Sequence, residues 1–445
     1  MSAFQAPTGT RDLLGPDSAR FEAVVARFAH RAHLAGFGLL VSPMFEDVAV
    51  FRRSAGEESD VVKDEMYELT DKGGRDLALR PEGTASVVRA FVQHRPQLPW
   101  KAWYAAPMFR YERPQAGRFR QHHQLGVELL GTPDPDADVE VIALLAGFLD
   151  EVGIRRFELK VNSMGDTACM PAYRQRLLDY LHQHELDLCD EHQTRWRRNP
   201  LRVLDCKKAP CVAVRKGAPR LVDALCGECA AHFDAVLAGL DALKLPWRQD
   251  DALVRGFDYY TRTTFELGSL ALDAAQNALG GGGRYDGLAE QLGGPATPGV
   301  GFGCGIERIL LAAEAEGALG GVTGHVDAFV VDLTGGSAAR ETAGALRAAG
   351  IAADRAFDAR SLKAQLKAAD RSGARLACIV GPSELDAGTV TIRVLAGTGA
   401  GHQEPVDKED LVSRCHALLA QVASPQPAST QPASTQPAGP EPAAR

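Results

Sequence analysis

The stretch from Pro107 to Gly131, PMFRYERPQAGRFRQHHQLGVELLG, constrains the fold of this chain more than any other. Two apolar, strand-like runs, Trp103 to Phe109 and Leu125 to Leu130, flank a loop that carries Pro114 and Gly117, so the segment is expected to form a β-hairpin. Into the loop go Arg110, Arg113, Arg118 and Arg120, with Glu112 the single acid among them. A solvated turn has no structural need of four guanidinium groups, whereas each arginine offers a planar fork of donors that matches phosphate oxygens two at a time. The hairpin therefore points to a phosphate and nucleic-acid contact loop carried on a rigid sheet.

A chain of 445 residues is too long for one core, so two or three domains are expected. Apolar and charged contents of 45% and 24% are those of an ordinary globular protein. The longest apolar run, Val141 to Leu149, is far short of a membrane span, and the N-terminus lacks a signal pattern, so the cytoplasm is the expected location. A net charge of −8 argues against a generally basic surface but leaves room for local basic patches. Nine cysteines without a signal suggest reduced thiols. From Ser424 the sequence SPQPASTQPASTQPAGPEPAAR has almost no large apolar residue and is expected to be a disordered tail.

Two further stretches carry chemistry. Residues 253–266, LVRGFDYYTRTTFE, are expected to form a strand with Tyr259, Thr261, Thr263 and Phe265 on one face, so that Tyr259 and Tyr260 point to opposite sides. Arg255 precedes Gly256, where bare backbone lets a ligand come close. Residues 279–310 contain the tetraglycine Gly280–Gly283, which is no P-loop because no Gly-Lys-Ser/Thr follows. The alternating Gly299, Gly301, Gly303 and Gly305 predict a strand with one bare face, suited to a flat ligand. Helical periodicity from Ile306 places Arg308 in a first turn, where it adds a second anion-binding group to the helix N-terminus.

The hairpin, with its Phe-Arg-x-Glu at 109–112, resembles motif 2 of the class II aminoacyl-tRNA synthetases. GFGLLVSPMFE at 36–46 resembles motif 1, the dimer-forming segment, and Gly-x-Gly-x-Glu-Arg ending in Arg308 resembles motif 3. Arg-Gly-x-Asp-Tyr-Tyr at 255–260 and Gly-Gly-Gly-Arg-Tyr-Asp-Gly-Leu at 281–288 are similar to the two signatures of the histidyl-tRNA synthetase family, bacterial type. Arg80–Thr84 and the opening Pro-Thr-Gly-Thr-Arg-Asp are also similar to that family. The resemblance runs from about residue 7 to residue 420.

That resemblance implies an α+β fold in three parts. Residues 1–164 and 249–322 would form a six-stranded antiparallel catalytic sheet flanked by helices. Residues 165–248 would be a helical insertion, and 325–423 an α/β anticodon-binding domain, with the tail at 424–445. It implies histidine–tRNA ligation: L-histidine and ATP, with Mg2+, give histidyl-adenylate and pyrophosphate, and the histidyl group then passes to tRNA(His). By the same resemblance Arg110 and Arg255 contact the α-phosphate, Arg308 the γ-phosphate, and Arg118 and His122 complete the ATP site. His122 stands where the family commonly has a phenylalanine stacking on adenine. Glu128 and Tyr260, with Tyr259 alongside, would bind the imidazole, and Glu82, Thr84 and Gln124 the α-amino group. Arg113, Gln115 and Arg120 are candidates for the tRNA acceptor end, and a homodimer is implied.

In the C-terminal part the order β-α-β-α-β-β-α is expected, with strands at Val326–Leu333, Ala374–Gly381 and Thr389–Leu395 and helices at Ser337–Ala349, Ser361–Arg371 and Glu409–Val422. On the middle helix Lys363, Lys367 and Arg371 share one face, and Leu362, Leu366 and Ala369 the buried one. This basic face suits a nucleic-acid backbone. In the insertion, Cys206-x4-Cys211 followed by Cys226-x2-Cys229 has the spacing of one four-thiolate Zn2+ site, the alternative being buried small hydrophobes. One other function shares much of the pattern: the regulatory subunit of ATP phosphoribosyltransferase, a non-catalytic histidine sensor. That paralogue usually lacks the anticodon-binding domain and loses the ATP-contacting arginines. A synthetase-derived tRNA sensor would normally carry an effector domain, and none is visible here.

Overall fold

The computed structural model describes residues 4–422, apart from 57, 58, 60, 255, 274–276, 321, 323–325, 358, 359 and 398. Arg255 and the expected tail at 424–445 therefore lie outside the described residues. The chain divides into two compact units, Met1–Val322 and Thr323–Arg445. No helix among the described residues is long and apolar enough to cross a membrane.

The first unit begins with α1 (Asp17–Leu34), β1 (Gly38–Leu39), β2 (Phe45–Asp47), α2 (Val48–Ala55), β3 (Tyr67–Thr70), β4 (Asp76–Leu79) and α3 (Thr84–His94). Then come β5 (Trp100–Phe109), β6 (Gln121–Leu130), α4 (Pro135–Val152) and β7 (Phe157–Ser163). The insertion follows as α5 (Met170–Gln183), α6 (Asp190–Arg195), α7 (Arg202–Asp205), α8 (Ala209–Arg215) and α9 (Gly227–Ala242). The unit closes with β8 (Trp247–Gln249), β9 (Thr261–Ser269), β10 (Ala278–Arg284), α10 (Leu288–Gln291), β11 (Gly299–Gly305) and α11 (Ile306–Ala315).

Its main sheet has the order β1-β5-β6-β11-β10-β9-β7-β8. The six central strands are antiparallel, as expected, and the short β1 and β8 extend the sheet as parallel edges beside β5 and β7. The predicted hairpin is present, paired from Trp100↔Leu130 to Phe109↔Gln121. Strand alternation sorts its residues onto two faces. Leu125, Val127 and Leu129 of β6, with Val300, Phe302 and Cys304 of β11, enter a core beneath α1, α4 and α11. There Phe28 of α1 meets Phe148 of α4 edge-on, with centroids 4.9 Å apart. Gln124, Gly126 and Glu128 take the opposite face, and that face carries the site.

The helix α4 is fixed at both ends. Asp134 caps it by accepting from the Asp136 N–H, Pro135 opens it, and Gly153 closes it at φ 98°. Inside its first turn Asp138 forms a fully buried ion pair with Arg284 at the end of β10. The Arg284 guanidinium also donates to the carbonyls of Thr132 and Asp134, each at 3.0 Å, and to Asp286 at 3.2 Å. Its donors are thus paired, which is the condition for a buried charge to persist.

The second unit comprises β12 (Ala328–Asp332), α12 (Ser337–Ala348), β13 (Ala353–Arg355), α13 (Leu362–Arg371), β14 (Leu376–Val380), α14 (Pro382–Ala387), β15 (Thr389–Val394), β16 (Gln403–Asp407) and α15 (Leu411–Val422). The strand order is β13-β12-β14-β15-β16, parallel up to β14 and antiparallel beyond it. The order β-α-β-α-β-β-α missed α14, a short helix between Gly381 and Gly388, and the edge strand β16. On α13 the buried face also differs from expectation: Gln365 and Ala369 are buried while Leu362 is exposed. Gln365 earns its place by backbone pairing, accepting from the Asp332 N–H at 2.8 Å and donating to the Asp332 and Arg360 carbonyls. Lys363, Lys367 and Arg371 are exposed.

Candidate active site

The site is assembled where the N-terminus of α3 meets the polar face of β6. Glu82 precedes the helix and caps it with both oxygens, accepting from the Thr84 N–H at 2.6 Å and the Ala85 N–H at 2.8 Å. Burial raises the Glu82 pKa, opposed by these two amides and by the Arg110 charge. The Thr84 hydroxyl then donates to Glu128 Oε1 at 2.7 Å, so one residue links the two buried carboxylates. The other Glu128 oxygen accepts from the Tyr285 hydroxyl. Burial pushes the Glu128 carboxyl up to about 8, against the pull of the Tyr285 and Thr84 hydrogen bonds.

The bare face of β11 is not the ligand-bearing surface that its glycines suggested. A Cβ on Gly301 would lie 1.8 Å from Glu128 Oε2, and one on Gly303 would lie 1.6 Å from Gln124 Nε2. The side chains of β6 fill that space, and the glycines are there to admit them. Gln124 Oε1 is left buried without a hydrogen-bond partner among the described residues, as is the hydroxyl of Tyr104 on β5. Buried polar atoms are seldom left unpaired, so both are ready to meet a polar ligand. Tyr104 and Tyr285 were not singled out from sequence. Tyr285 lies inside the Gly-Gly-Gly-Arg-Tyr motif, whereas Tyr104 sits in an apolar strand with no distinguishing signal.

Tyr259 and Tyr260 depart from expectation. Strand β9 starts only at Thr261, and the two tyrosines precede it in a turn. Their rings therefore lie together, with centroids 4.7 Å apart, instead of on opposite faces. Tyr259 also stacks on Phe257 at 5.4 Å and meets Tyr285 edge-on at 5.9 Å.

Beside these carboxylates the cations gather, Arg110 near enough for its charge to act on Glu82. Arg110 follows β5, donates to the Pro81 carbonyl at 2.8 Å and lies 5.9 Å over the Phe257 ring. Arg118, across the loop, pairs with Glu112 at 3.3 Å. Arg308, in the first turn of α11 as expected, donates to the Ala278 carbonyl at 3.0 Å. Burial, with the charges of Arg118 and Arg110, lowers the Arg308 pKa. His122 is pulled down to about 3 by burial and by the Arg110, His123 and Arg308 charges, so its ring is neutral at working pH. Beside it Glu307 accepts from the His123 backbone at 3.1 Å and lies 2.9 Å from its Nδ1, clamping β6 to α11.

Arg113 and Gln115 are exposed on the hairpin loop. Arg120 is half-buried, its guanidinium 3.9 Å over the ring of the exposed Tyr111. A cavity of about 500 Å3 lined by Arg31, Glu140, Leu144 and Leu243 lies apart from these residues. The four cysteines expected to share one site do not: Cys206 and Cys211 gather with Cys189 and His192, and Cys226 and Cys229 with Asp166 and Cys169. Sequence spacing joined neighbours along the chain, while the helices carry the two pairs to different partners.

A family model described as histidyl-tRNA synthetase matches residues 9–309, and one described as an anticodon binding domain matches residues 327–418. The chain is 47% identical over 418 residues to the histidine–tRNA ligase of Mycolicibacterium vanbaalenii, covering 93% of this chain and 98% of the relative. It is 46% identical over 415 residues to that of Desulforudis audaxviator, covering 92% and 97%. Among solved structures, the apo histidyl-tRNA synthetase of S. aureus is similar with a TM-score of 0.76 at 34% identity, over 93% of this chain and 99% of that one.

Proposed function

The chain belongs to the histidyl-tRNA synthetase family, and from that premise we infer that it is a histidine–tRNA ligase, a class II aminoacyl-tRNA synthetase. The observation that carries the reading is a buried carboxylate group around Glu82 and Glu128 beside a cluster of guanidinium groups at Arg110, Arg118 and Arg308. An amino acid with a polar ring fits the first, and a nucleotide triphosphate fits the second.

In the first step a histidine carboxylate oxygen attacks the α-phosphorus of ATP, the bond to the bridging oxygen breaks, and pyrophosphate leaves with the electron pair. In the second the terminal ribose hydroxyl of tRNA(His) attacks the histidyl carbonyl, loses its proton, and AMP departs. Glu128, with Tyr260 and Tyr259 beside it, holds the imidazole. Glu82 retains lone pairs beyond those capping α3, and together with Thr84 and Gln124 Oε1 it receives the α-ammonium. Arg110 and Arg255 stabilise charge on the α-phosphate, and Arg308 and Arg118 the outer phosphates. Neutral His122 supplies a flat face for adenine. ATP enters as its Mg2+ complex, and Glu112 and Glu266 are the carboxylates whose charge reaches Arg308.

Arg113, Gln115 and Arg120 are assigned to the acceptor end of tRNA, and Lys363, Lys367 and Arg371 to its anticodon arm. A homodimer fits the exposed apolar side chains Leu39, Val41, Met44 and Phe45 in the 36–46 segment. The cytoplasm is the compartment where translation would use this activity. The histidine-sensing regulatory reading is disfavoured by the full-length ligase relatives, the anticodon-binding unit and the intact arginine cluster.

The test is histidine-dependent ATP–pyrophosphate exchange by the purified chain without tRNA. Exchange confined to histidine is expected; histidine binding without exchange would sink the ligase reading. Arg255→Ala is expected to abolish exchange with the fold retained, and near-normal exchange would remove Arg255 from the mechanism.

A further inference from the structure

We propose that the insertion is a two-zinc domain, with one ion held by Cys189, His192, Cys206 and Cys211 and a second by Asp166, Cys169, Cys226 and Cys229. In each group every residue offers a ligand atom, and all four atoms lie within 4.8 Å of one another. A tetrahedral zinc with bonds of about 2.3 Å to sulfur and about 2.0–2.1 Å to nitrogen or oxygen requires ligand-to-ligand edges of about 3.5–3.8 Å. His192 Nδ1 lies 3.2 Å from Cys189 Sγ and 3.6 Å from Cys211 Sγ. In the second group Asp166 Oδ1 lies 3.5 Å from Cys169 Sγ and 4.0 Å from Cys226 Sγ. All six thiols are free, and five of them are buried. Thiol groups gathered three at a time around an imidazole or a carboxylate make the donor sets zinc prefers.

The placement of the ligands along the chain supplies a second argument. Cys189 precedes α6, His192 lies within it, Cys206 follows α7, and Cys211 lies in the first turn of α8. These helices have six, four and seven residues, too short to hold themselves, and one ion would tie all three together. The second group joins the two ends of the insertion: Asp166 and Cys169 precede α5, while Cys226 and Cys229 open α9. Its loop is bonded to the start of β9, with the Arg262 N–H donating to the Gly165 carbonyl at 2.6 Å. Arg262 Nη2 stands 3.7 Å from the outer oxygen of Asp166, where its charge offsets the excess negative charge of three thiolates and a carboxylate around one divalent ion.

The deciding experiment is metal analysis of the full chain, expressed with zinc and purified without chelator. About two equivalents per chain are expected, falling to about one in Cys206→Ser, to about one in Cys226→Ser, and staying at about two in Cys378→Ser. Cobalt added to the metal-free chain should give an intense thiolate-to-cobalt charge-transfer band, halved in each single variant. This reading stands on the wild-type chain even if a variant fails to fold. Less than about a tenth of an equivalent with no cobalt band, or a disulfide within either group by mass spectrometry, overturns the proposal. One equivalent lost in only one of the two variants overturns the other site.

Discussion

At the proposed amino-acid end of the site Glu82, Thr84, Glu128 and Tyr285 are buried and bonded to one another. At the proposed phosphate end Arg110 and Arg308 are half-buried and Arg118 is exposed; Arg110 is held by the Pro81 carbonyl and the Phe257 ring, Arg308 by the Ala278 carbonyl and Arg118 by Glu112. Folding alone completes the first set, because its members satisfy one another. The second is a gathering of like charges that an anion would relieve. On the proposed assignment, selection of the amino acid would be built into the folded chain, whereas the nucleotide site would take its final geometry from the nucleotide.

Substitutions should separate the two ends. The largest effect is expected from Glu128→Ala, with kcat/KM for histidine falling by about 10^3- to 10^4-fold and KM for ATP nearly unchanged, because the ring would face an unpaired polar site. Steady-state exchange kinetics decide it, and equal losses for both substrates would break the comparison. Gly303→Ala drives a methyl group into Gln124 and should cost about 100-fold in kcat/KM for histidine, since misplacement of about 1 Å has effects of that size. Far-UV circular dichroism should be unchanged. Arg118→Ala should raise KM for ATP by about 10-fold and flatten its dependence on salt, leaving histidine affinity intact. Salt titration of KM checks this.

The smallest effect concerns stability. Glu128 is raised from 4.5 to about 8 in the folded chain, so folding favours its protonated form. The resulting stability is complete below pH 4.5 and is lost as pH climbs through 8. Glu128→Gln cannot ionise, and its Tm should exceed that of the parent by about 2–5 °C at pH 8, with the gap closing towards pH 5. A constant gap across that range would show that Glu128 is charged in the folded chain.

The frame of the molecule is legible in sequence where period and turn chemistry agree, as in the β5–β6 hairpin and the first turn of α11. Local pattern fails where a neighbour decides. The glycines of β11 look like a bare surface until β6 is laid beside them with Gln124 and Glu128 in the gaps. Tyr259 and Tyr260 look like strand residues because Thr261 to Phe265 continue their alternation, yet the chain turns just before Thr261. Tyr104 has no signal because a buried tyrosine among Trp103 and Ala105 reads as core. For the cysteines, Cys189-x2-His192 and Asp166-x2-Cys169 were visible spacings, but only the packing of α6 to α9 shows which pair each one joins. Gln365 is a polar residue at a core position, justified by its bonds to the backbone of Asp332 and Arg360.

The Arg284–Asp138 pair behind the pocket has a mutational consequence. Losing either partner strands a buried charge at a cost of about 3–5 kcal/mol, a large part of what holds a domain folded. An apolar pair of similar volume would be tolerated, but every single-step route to it passes through a chain that scarcely folds. A change at either position alone therefore carries that full cost, and the same pair fixes where Tyr285, next to Arg284, meets Glu128.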